Sequence, residues 1–131
     1  MWVYHIPTGI LVDPNGVRQA QGYSGHPPHV NDASAIGLVA VGPCPPGSYT
    51  LDPPQDSPKT GPYTLTLIPD AATNAFIASL GRDPESFRVH GDLVGHVGEQ
   101  LASDGCLIFP LAVRTEMWES TDHAVSVVAT A

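Results

Sequence analysis

The chain has 131 residues, enough for one domain around one hydrophobic core, and its 42% of hydrophobic residues excludes an intrinsically disordered protein. The formal net charge is -8 and the five basic residues are scattered along the chain, so we expect no nucleic-acid partner. No apolar run approaches the roughly 20 residues of a membrane span, so we expect no membrane partner, and two cysteines without a Cys-x-x-Cys pair exclude a disulfide-rich scaffold.

The first 23 residues predict a meander of three strands. "MWVYHI" is rich in β-branched and aromatic residues, and "PTG" turns the chain toward the apolar segment "ILV". The next turn signal is "DPNG", which leads into "VRQAQGY". Because the connections between these segments are short, we expect the three strands to be neighbours in one sheet.

Two stretches that contain several prolines predict loops. The first, "SGHPPHVNDAS" at residues 24–34, contains Asn31 and Asp32, either of which would cap a single helical turn. The second is "DPPQDSPKTG" at residues 52–61. Between the two loops, "GPCPPG" predicts a rigid connection because proline fixes the backbone φ angle.

The remaining segments predict strands and two short helices. Strands are expected over residues 48–51, 62–69, 86–90, 106–109 and 124–129. One helix is expected over residues 71–80, ending at Gly81, and Pro110 suits the first turn of another that runs "PLAVRTEMWES". On that second helix, Leu111, Arg114 and Trp118 fall near one face, with Met117 beside Trp118. We therefore expect a mainly β fold with two or three short helices, in a single domain over residues 1–131.

The stretch "FRVHGDLVGHVGEQLASDGCLIFP" places polar residues between two apolar runs and contains the best candidate nucleophile, Cys106. Cys106 follows Ser103-Asp104-Gly105, a turn that can present a side chain and aim backbone N–H groups at one point, as an oxyanion hole requires. A thiol needs a base to become a thiolate, and His90, at the end of a predicted strand, can supply it. The negative charge of Asp104 would act against the thiolate.

Other interpretations of these residues stay open on the sequence alone. A lone cysteine before "LIF" is often a small buried hydrophobe, and a lone histidine at a strand end is often a surface group. His90, Asp92 and His96, with Cys106 as a fourth ligand, also have the residue types of a zinc site, although the glycines between them predict a loop. Cys44 is interpreted as a packing residue, with a bridge to Cys106 as the alternative.

The order "HGD" then "SDGC", residues 90–92 and 103–106, resembles the His-Gly … Ser-x-Gly-Cys signature of the L,D-transpeptidase catalytic domain. That family remodels bacterial peptidoglycan with a cysteine nucleophile on a β-rich fold. The family usually continues with an apolar residue and then arginine, whereas Leu107 is here followed by Ile108. This departure leaves the group that would neutralise a substrate carboxylate unassigned.

A narrower resemblance is to the L,D-transpeptidase effectors of type VI secretion systems, and it spans nearly the whole chain. The matching segments are Thr8-Gly9, Leu11, Gly16, "GYSG" at 22–25, "GPCPPGSYT" at 42–50, "GPYTLTLIPD" at 61–70, His90 and "SDGCLIFPLAVRTEMW" at 103–118. The order and spacing of these segments make this resemblance more specific than a cysteine and a histidine alone.

The resemblance implies a role for each residue of the motif. Cys106 would attack the carbonyl between the third and fourth residues of a peptidoglycan stem peptide, form a thioester and expel D-alanine. His90 would act first as base and then as acid, and Ser103 would orient His90 or steady the turn. The N–H groups of Gly105 and Cys106 would hold the oxyanion, with Gly91 in the neighbouring turn.

Substrate contacts and partners follow from the same resemblance. Tyr23 of "GYSG" is predicted to line the cleft, with packing at a strand end as the alternative, and Arg88 and Asp92 are predicted to contact substrate. The resemblance implies no cofactor and no metal. It implies the stem peptide as substrate, and a cognate immunity protein and a secretion-system component as partners. The start "MWVYHIPTG" lacks the pattern of a signal peptide, so we expect synthesis in a bacterial cytoplasm and action in the periplasm of a target cell.

Overall fold

The computed structural model describes residues 1–131 and confirms a mainly β fold with few short helices. The strands are β1 (Trp2–His5), β2 (Ile10–Val12), β3 (Gln19–Gln21), β4 (Tyr23–Ser24), β5 (Gly47–Leu51), β6 (Gln55–Ser57), β7 (Gly61–Pro69), β8 (Arg88–His90), β9 (Leu107–Ile108) and β10 (Ala124–Val128). The helices are α1 (Ala71–Ser79), α2 (Leu111–Glu119) and a 3₁₀ turn, Ala33–Ala35. Neither α-helix combines the length and the apolar character that crossing a membrane would require.

All ten strands belong to one mixed sheet, and the predicted N-terminal meander forms one end of it. β2 pairs antiparallel with both β1 and β3, as the turn signals predict. The sheet order is β3-β2-β1-β10-β5-β7-β8-β9-β4, and β6 pairs with β7 beside this path. β10 therefore lies between β1 and β5, so the C-terminal strand joins the meander to the part of the sheet that contains β8 and β9.

The two predicted helices form, with small differences at their ends. The Asp70 carboxylate accepts the Thr73 N–H at 2.9 Å and so caps the start of α1, which ends just before Gly81. Pro110 is the residue before α2 rather than part of its first turn. The buried face of α2 consists of Val113, Arg114 and Met117. Leu111, which the sequence groups with Arg114, is instead 54% exposed.

The structure corrects one predicted loop and decides between the two caps predicted for the other. Residues 52–61 are predicted as a loop, but they contain β6, which forms an antiparallel hairpin with β7. Asp32 caps the 3₁₀ turn by accepting the Ser34 N–H at 3.0 Å. Asn31, the alternative cap, instead accepts hydrogen bonds from Tyr4 and Ser24. The side chain of Asn31 therefore ties the 24–34 loop to the sheet.

The hydrophobic core fixes the register of β8 against β9. Val89 and Leu107 are paired across these two parallel strands, and both are fully buried. Because side chains alternate between the faces of a strand, the neighbours of Val89 and Leu107 must project to the opposite side. This alternation determines which polar residues can meet.

Candidate active site

The register of β8 and β9 brings Arg88, His90 and Cys106 to one face of the sheet. Val89 pairs with Leu107 and His90 with Ile108, and continuing this register by one residue places Arg88 beside Cys106, the residue directly before β9. All three side chains line one cavity of about 580 Å³, which we call the Cys106 cleft.

The Cys106 cleft has three walls. One is the hairpin between β6 and β7, residues 57–61. Another is formed by residues 90–94, directly after β8. The third is formed by residues 83–88, and Asp83, Glu85 and Asp104 add acidic side chains at the border of the cleft.

Cys106 is partly exposed and carries no disulfide. Its Sγ lies 3.7 Å from the Ser86 carbonyl oxygen, a weak contact for a thiol donor. Burial raises the pKa of the Cys106 thiol, and the charge of Asp104 raises it further, against the lowering effect of the Arg88 N–H and guanidinium. The thiol is therefore protonated at neutral pH and depends on a base to become a nucleophile.

His90 is buried and is held in one tautomer by the backbone. Its Nδ1 lies 2.8 Å from the Gly91 carbonyl oxygen, which can only accept, so Nδ1 carries the proton. Nε2 is then the unprotonated nitrogen, free to accept a proton. Burial lowers the pKa of His90, helped by the charge of Arg114 and opposed by the Gly91 hydrogen bond. His90 and Cys106 are thus a neutral pair within one cleft, with no direct hydrogen bond between them.

Ser103 is buried in the turn before Cys106 and makes no hydrogen bond to His90. Its hydroxyl donates to the Cys106 carbonyl oxygen at 2.7 Å and accepts the N–H groups of Gly25 and Gly105 at 2.9 and 3.1 Å. Of the two roles considered for Ser103, the geometry fits steadying the turn. Because the Gly105 N–H is already donated to Ser103, it is not free for an oxyanion.

Gly105 is required by its backbone angle and a close neighbour, and Gly91 is closely packed. Gly105 has a φ of +135°, and a Cβ at this position would overlap the Arg82 guanidinium. A Cβ on Gly91 would lie 3.1 Å from Nη1 of Arg114. Gly91 lines the cleft, and its carbonyl fixes the His90 tautomer.

The segment "GYSG" supports residues 103–105, the turn before Cys106, which we call the nucleophile turn. Ser24 of β4 donates to the Gly105 carbonyl oxygen at 3.1 Å and accepts the Cys44 N–H at 2.9 Å. The next residue, Gly25, donates to Ser103. β4 itself pairs with β9, directly beside the turn. The sequence motif was the signal for this support, but the role of Ser24 could not be read from it.

Tyr23 does not line the Cys106 cleft, which corrects its predicted position. Its ring is buried, and its hydroxyl donates to Asp92 at 2.7 Å and accepts the Ala102 N–H at 3.1 Å. Burial and the Asp92 contact raise the pKa of Tyr23, so the hydroxyl stays protonated. Tyr23 therefore joins the two ends of the 92–102 loop, and it lines a separate cavity of about 380 Å³ beneath that loop.

Asp92 lines the cleft, but its two carboxylate oxygens are already engaged. One accepts from the Tyr23 hydroxyl and the Leu93 N–H, and the other accepts the Gly98 N–H at 3.1 Å. These contacts fold the loop and leave little capacity for substrate.

The structure does not assemble the alternative zinc site. His96 is exposed, and its Nδ1 pairs with Glu99 at 2.6 Å. The Asp92 oxygens accept hydrogen bonds from Tyr23, Leu93 and Gly98. No three His, Cys, Asp or Glu side chains of the chain converge as ligands would.

Cys44 is separate from this chemistry. It is fully buried and unbridged, which corrects the alternative of a Cys44–Cys106 disulfide. Burial raises the pKa of the Cys44 thiol to about 12. A reagent that modifies thiolates is therefore expected to reach Cys106 alone in the folded protein.

Arg82 is a structural residue that sequence reasoning missed. It is 7% exposed, and its guanidinium donates to the carbonyl oxygens of Ile36, Gly42, Pro43 and Asp104 at 2.7 to 3.3 Å. It also stacks over Phe87, with 5.0 Å between the guanidinium carbon and the ring centre. The turn that carries Cys106 thus rests on a buried cation without a carboxylate partner.

Comparison with known protein families gives a match that covers most of the chain. Residues 18–130 match the protein family described as the Tlde1 domain. No curated protein matches the chain.

Proposed function

Because this chain belongs to the Tlde1 domain family, the L,D-transpeptidase effectors of type VI secretion, we propose that it is a cysteine enzyme that modifies peptidoglycan stem tetrapeptides. The observation that carries the proposal is the shared face of β8 and β9, which presents His90 and Cys106 to one open cleft. Membership of the wider L,D-transpeptidase superfamily stays a prediction from the sequence motifs.

The neutral pair suits general-base catalysis of thiol attack. The Cys106 thiol proton passes to Nε2 of His90 as the Sγ–carbon bond forms at the carbonyl between the third and fourth residues. The amide C–N bond then breaks, and the same proton leaves His90 for the amine of D-alanine. With the Gly105 N–H engaged by Ser103, the proposal assigns the oxyanion to the N–H of Cys106.

The acceptor of the thioester decides the product. Water gives an L,D-carboxypeptidase, and His90 activates it by the same proton transfer. The amine of a D-amino acid gives exchange, and the amine of another stem gives a cross-link. We propose that this activity, in the periplasm of a target cell, makes the protein an antibacterial effector, with an immunity protein in the producing cell.

Mass spectrometry of purified tetrapeptide muropeptides tests this function. Incubation with the protein should remove one D-alanine, and an added D-amino acid should replace it in part of the product. The matched control is Cys106→Ala, which should leave every mass unchanged. Unchanged masses with the unmodified protein would favour a non-catalytic wall-binding or phage module, and loss of activity with a chelator would favour a zinc peptidase.

The pH dependence should reflect a neutral pair. Because burial lowers the pKa of His90 below its ordinary 6.5, the base is lost only in more acidic solution, so kcat/KM should be half-maximal below pH 6.5. Because burial raises the pKa of the Cys106 thiol above its ordinary value, alkylation of Cys106 by iodoacetamide should still accelerate past pH 9. Stopped assays over pH 5 to 10 measure both, with Cys106→Ala as the alkylation blank. An alkylation rate that is already maximal at pH 7 would instead indicate a thiolate–imidazolium pair.

A further inference from the structure

The distribution of basic side chains singles out the Cys106 cleft. Of the five lysines and arginines, Arg18 pairs with Glu116 at 2.8 Å, and Arg82 and Arg114 are buried on backbone carbonyls. The remaining two, Lys59 and Arg88, both line the Cys106 cleft. A chain with a net charge of -8 therefore places both of its unburied cations that lack a carboxylate partner at one site.

The charges of these two residues remain available. The Lys59 ammonium makes no hydrogen bond or ion pair, and the residue is exposed on the 57–61 hairpin. The Arg88 guanidinium donates through Nη1 to the carbonyl oxygens of Glu85 and Phe87, at 2.7 and 3.2 Å. Neither contact neutralises the positive charge, and the two residues approach the cleft from different walls.

A carboxylate must enter this cleft in the proposed reaction. The residue that leaves is the last of the stem peptide, so its carboxylate is within one residue of the carbonyl that Cys106 attacks. One residue spans at most about 3.8 Å between Cα atoms. The carboxylates of Glu85 and Asp104, at the border of the cleft, have no N–H or O–H to donate, and their negative charge would repel the substrate carboxylate. Binding therefore needs a compensating cation near Cys106.

We propose that Lys59, acting with Arg88, binds the terminal carboxylate of the leaving residue and so selects peptides whose scissile bond precedes a free C-terminus. This inference rests on the proposed function and adds a specificity determinant to it. Lys59 supplies the mobile charge from the hairpin, and Arg88 supplies a fixed charge beside Cys106. The pair occupies the role left unassigned by the absence of arginine after Leu107.

The test compares two tetrapeptides that differ only in a C-terminal carboxylate or carboxamide. Removal of the last residue should be about tenfold faster in kcat/KM for the acid than for the amide, as expected for a charge-assisted contact. Lys59→Gln should lower this acid-to-amide ratio about fivefold, mainly through KM for the acid. Lys59→Arg should retain the ratio, because the charge remains.

The matched control is Arg18→Gln, which removes one positive charge at a distant surface pair and should leave the ratio unchanged. An unchanged ratio in Lys59→Gln, with normal turnover of the acid, would overturn the carboxylate assignment while the enzyme assignment stands. Failure of the unmodified protein to cleave either peptide would overturn the proposed function and this inference together.

Discussion

Replacing His90 with glutamine is expected to lower turnover of the tetrapeptide by about 10³-fold without unfolding the protein, since a positioned general base contributes about 10²–10⁴. The structural reason is the protonated Cys106 thiol, whose raised pKa leaves almost no thiolate at neutral pH. Nε2 of His90 is the unprotonated base on the shared face. A glutamine side chain can still donate to the Gly91 carbonyl, so the local fold should persist.

The control for this variant is His96→Gln. His96 lies in the 92–102 loop, where it pairs with Glu99 on the surface, and its loss should leave turnover unchanged. In the His90 variant, turnover should partly recover as the pH rises, because hydroxide can then generate the thiolate directly. Steady-state kinetics with circular dichroism as the folding check measure both variants. Near-normal turnover of His90→Gln at pH 7 would refute the assignment of His90 as base.

The parts of the fold that the sequence predicted are those with local signals. "PTG" and "DPNG" mark turns between short neighbouring strands, and the meander forms as expected. The helices α1 and α2 follow from Gly81, which ends the first, and Pro110, which precedes the second. β6 was missed because it has only three residues and lies among prolines, and a segment rich in proline is not expected to form a strand.

The parts of the site that could not be predicted depend on contacts between distant segments. The "HGD" and "SDGC" motifs identify His90 and Cys106, but not the parallel pairing of β8 with β9 that gives them a common face. Tyr23 has the same sequence context whether it lines a cleft or anchors a loop. Only the position of Asp92 and Ala102 around its hydroxyl decides between these roles.

Arg82 shows the limit of local patterns most clearly. "GRDP" has the composition of a surface turn, and an arginine in such a segment is usually exposed. Its guanidinium is nevertheless enclosed by carbonyl groups from residues 36–43 and from the Cys106 turn. Proline and glycine in that segment leave carbonyls without helix or sheet partners, and a buried arginine satisfies them.

Replacing Arg82 with methionine is therefore expected to lower the free energy of unfolding by about 4 kcal/mol, since each buried carbonyl left without a donor costs about 1–3 kcal/mol and some would recover water. Four carbonyl oxygens lose their donor in this variant. One of them belongs to Asp104, so the turn that carries Cys106 should loosen and its thiol should lose catalytic competence even where the protein stays folded. Urea unfolding followed by fluorescence measures the first effect, and tetrapeptide turnover under native conditions measures the second.

Two further variants make the Arg82 result specific. Arg82→Lys keeps the charge but has a single side-chain nitrogen. This nitrogen cannot reach all four carbonyl oxygens that the two ends of the guanidinium contact, so an intermediate loss of stability is expected. Arg18→Met removes an exposed arginine paired with Glu116 and should change the free energy of unfolding by no more than about 0.5–1 kcal/mol. Equal stabilities for Arg82→Met and Arg18→Met would show that the carbonyls around residue 82 find other donors. The nucleophile turn would then be held by Ser24 and Ser103 alone.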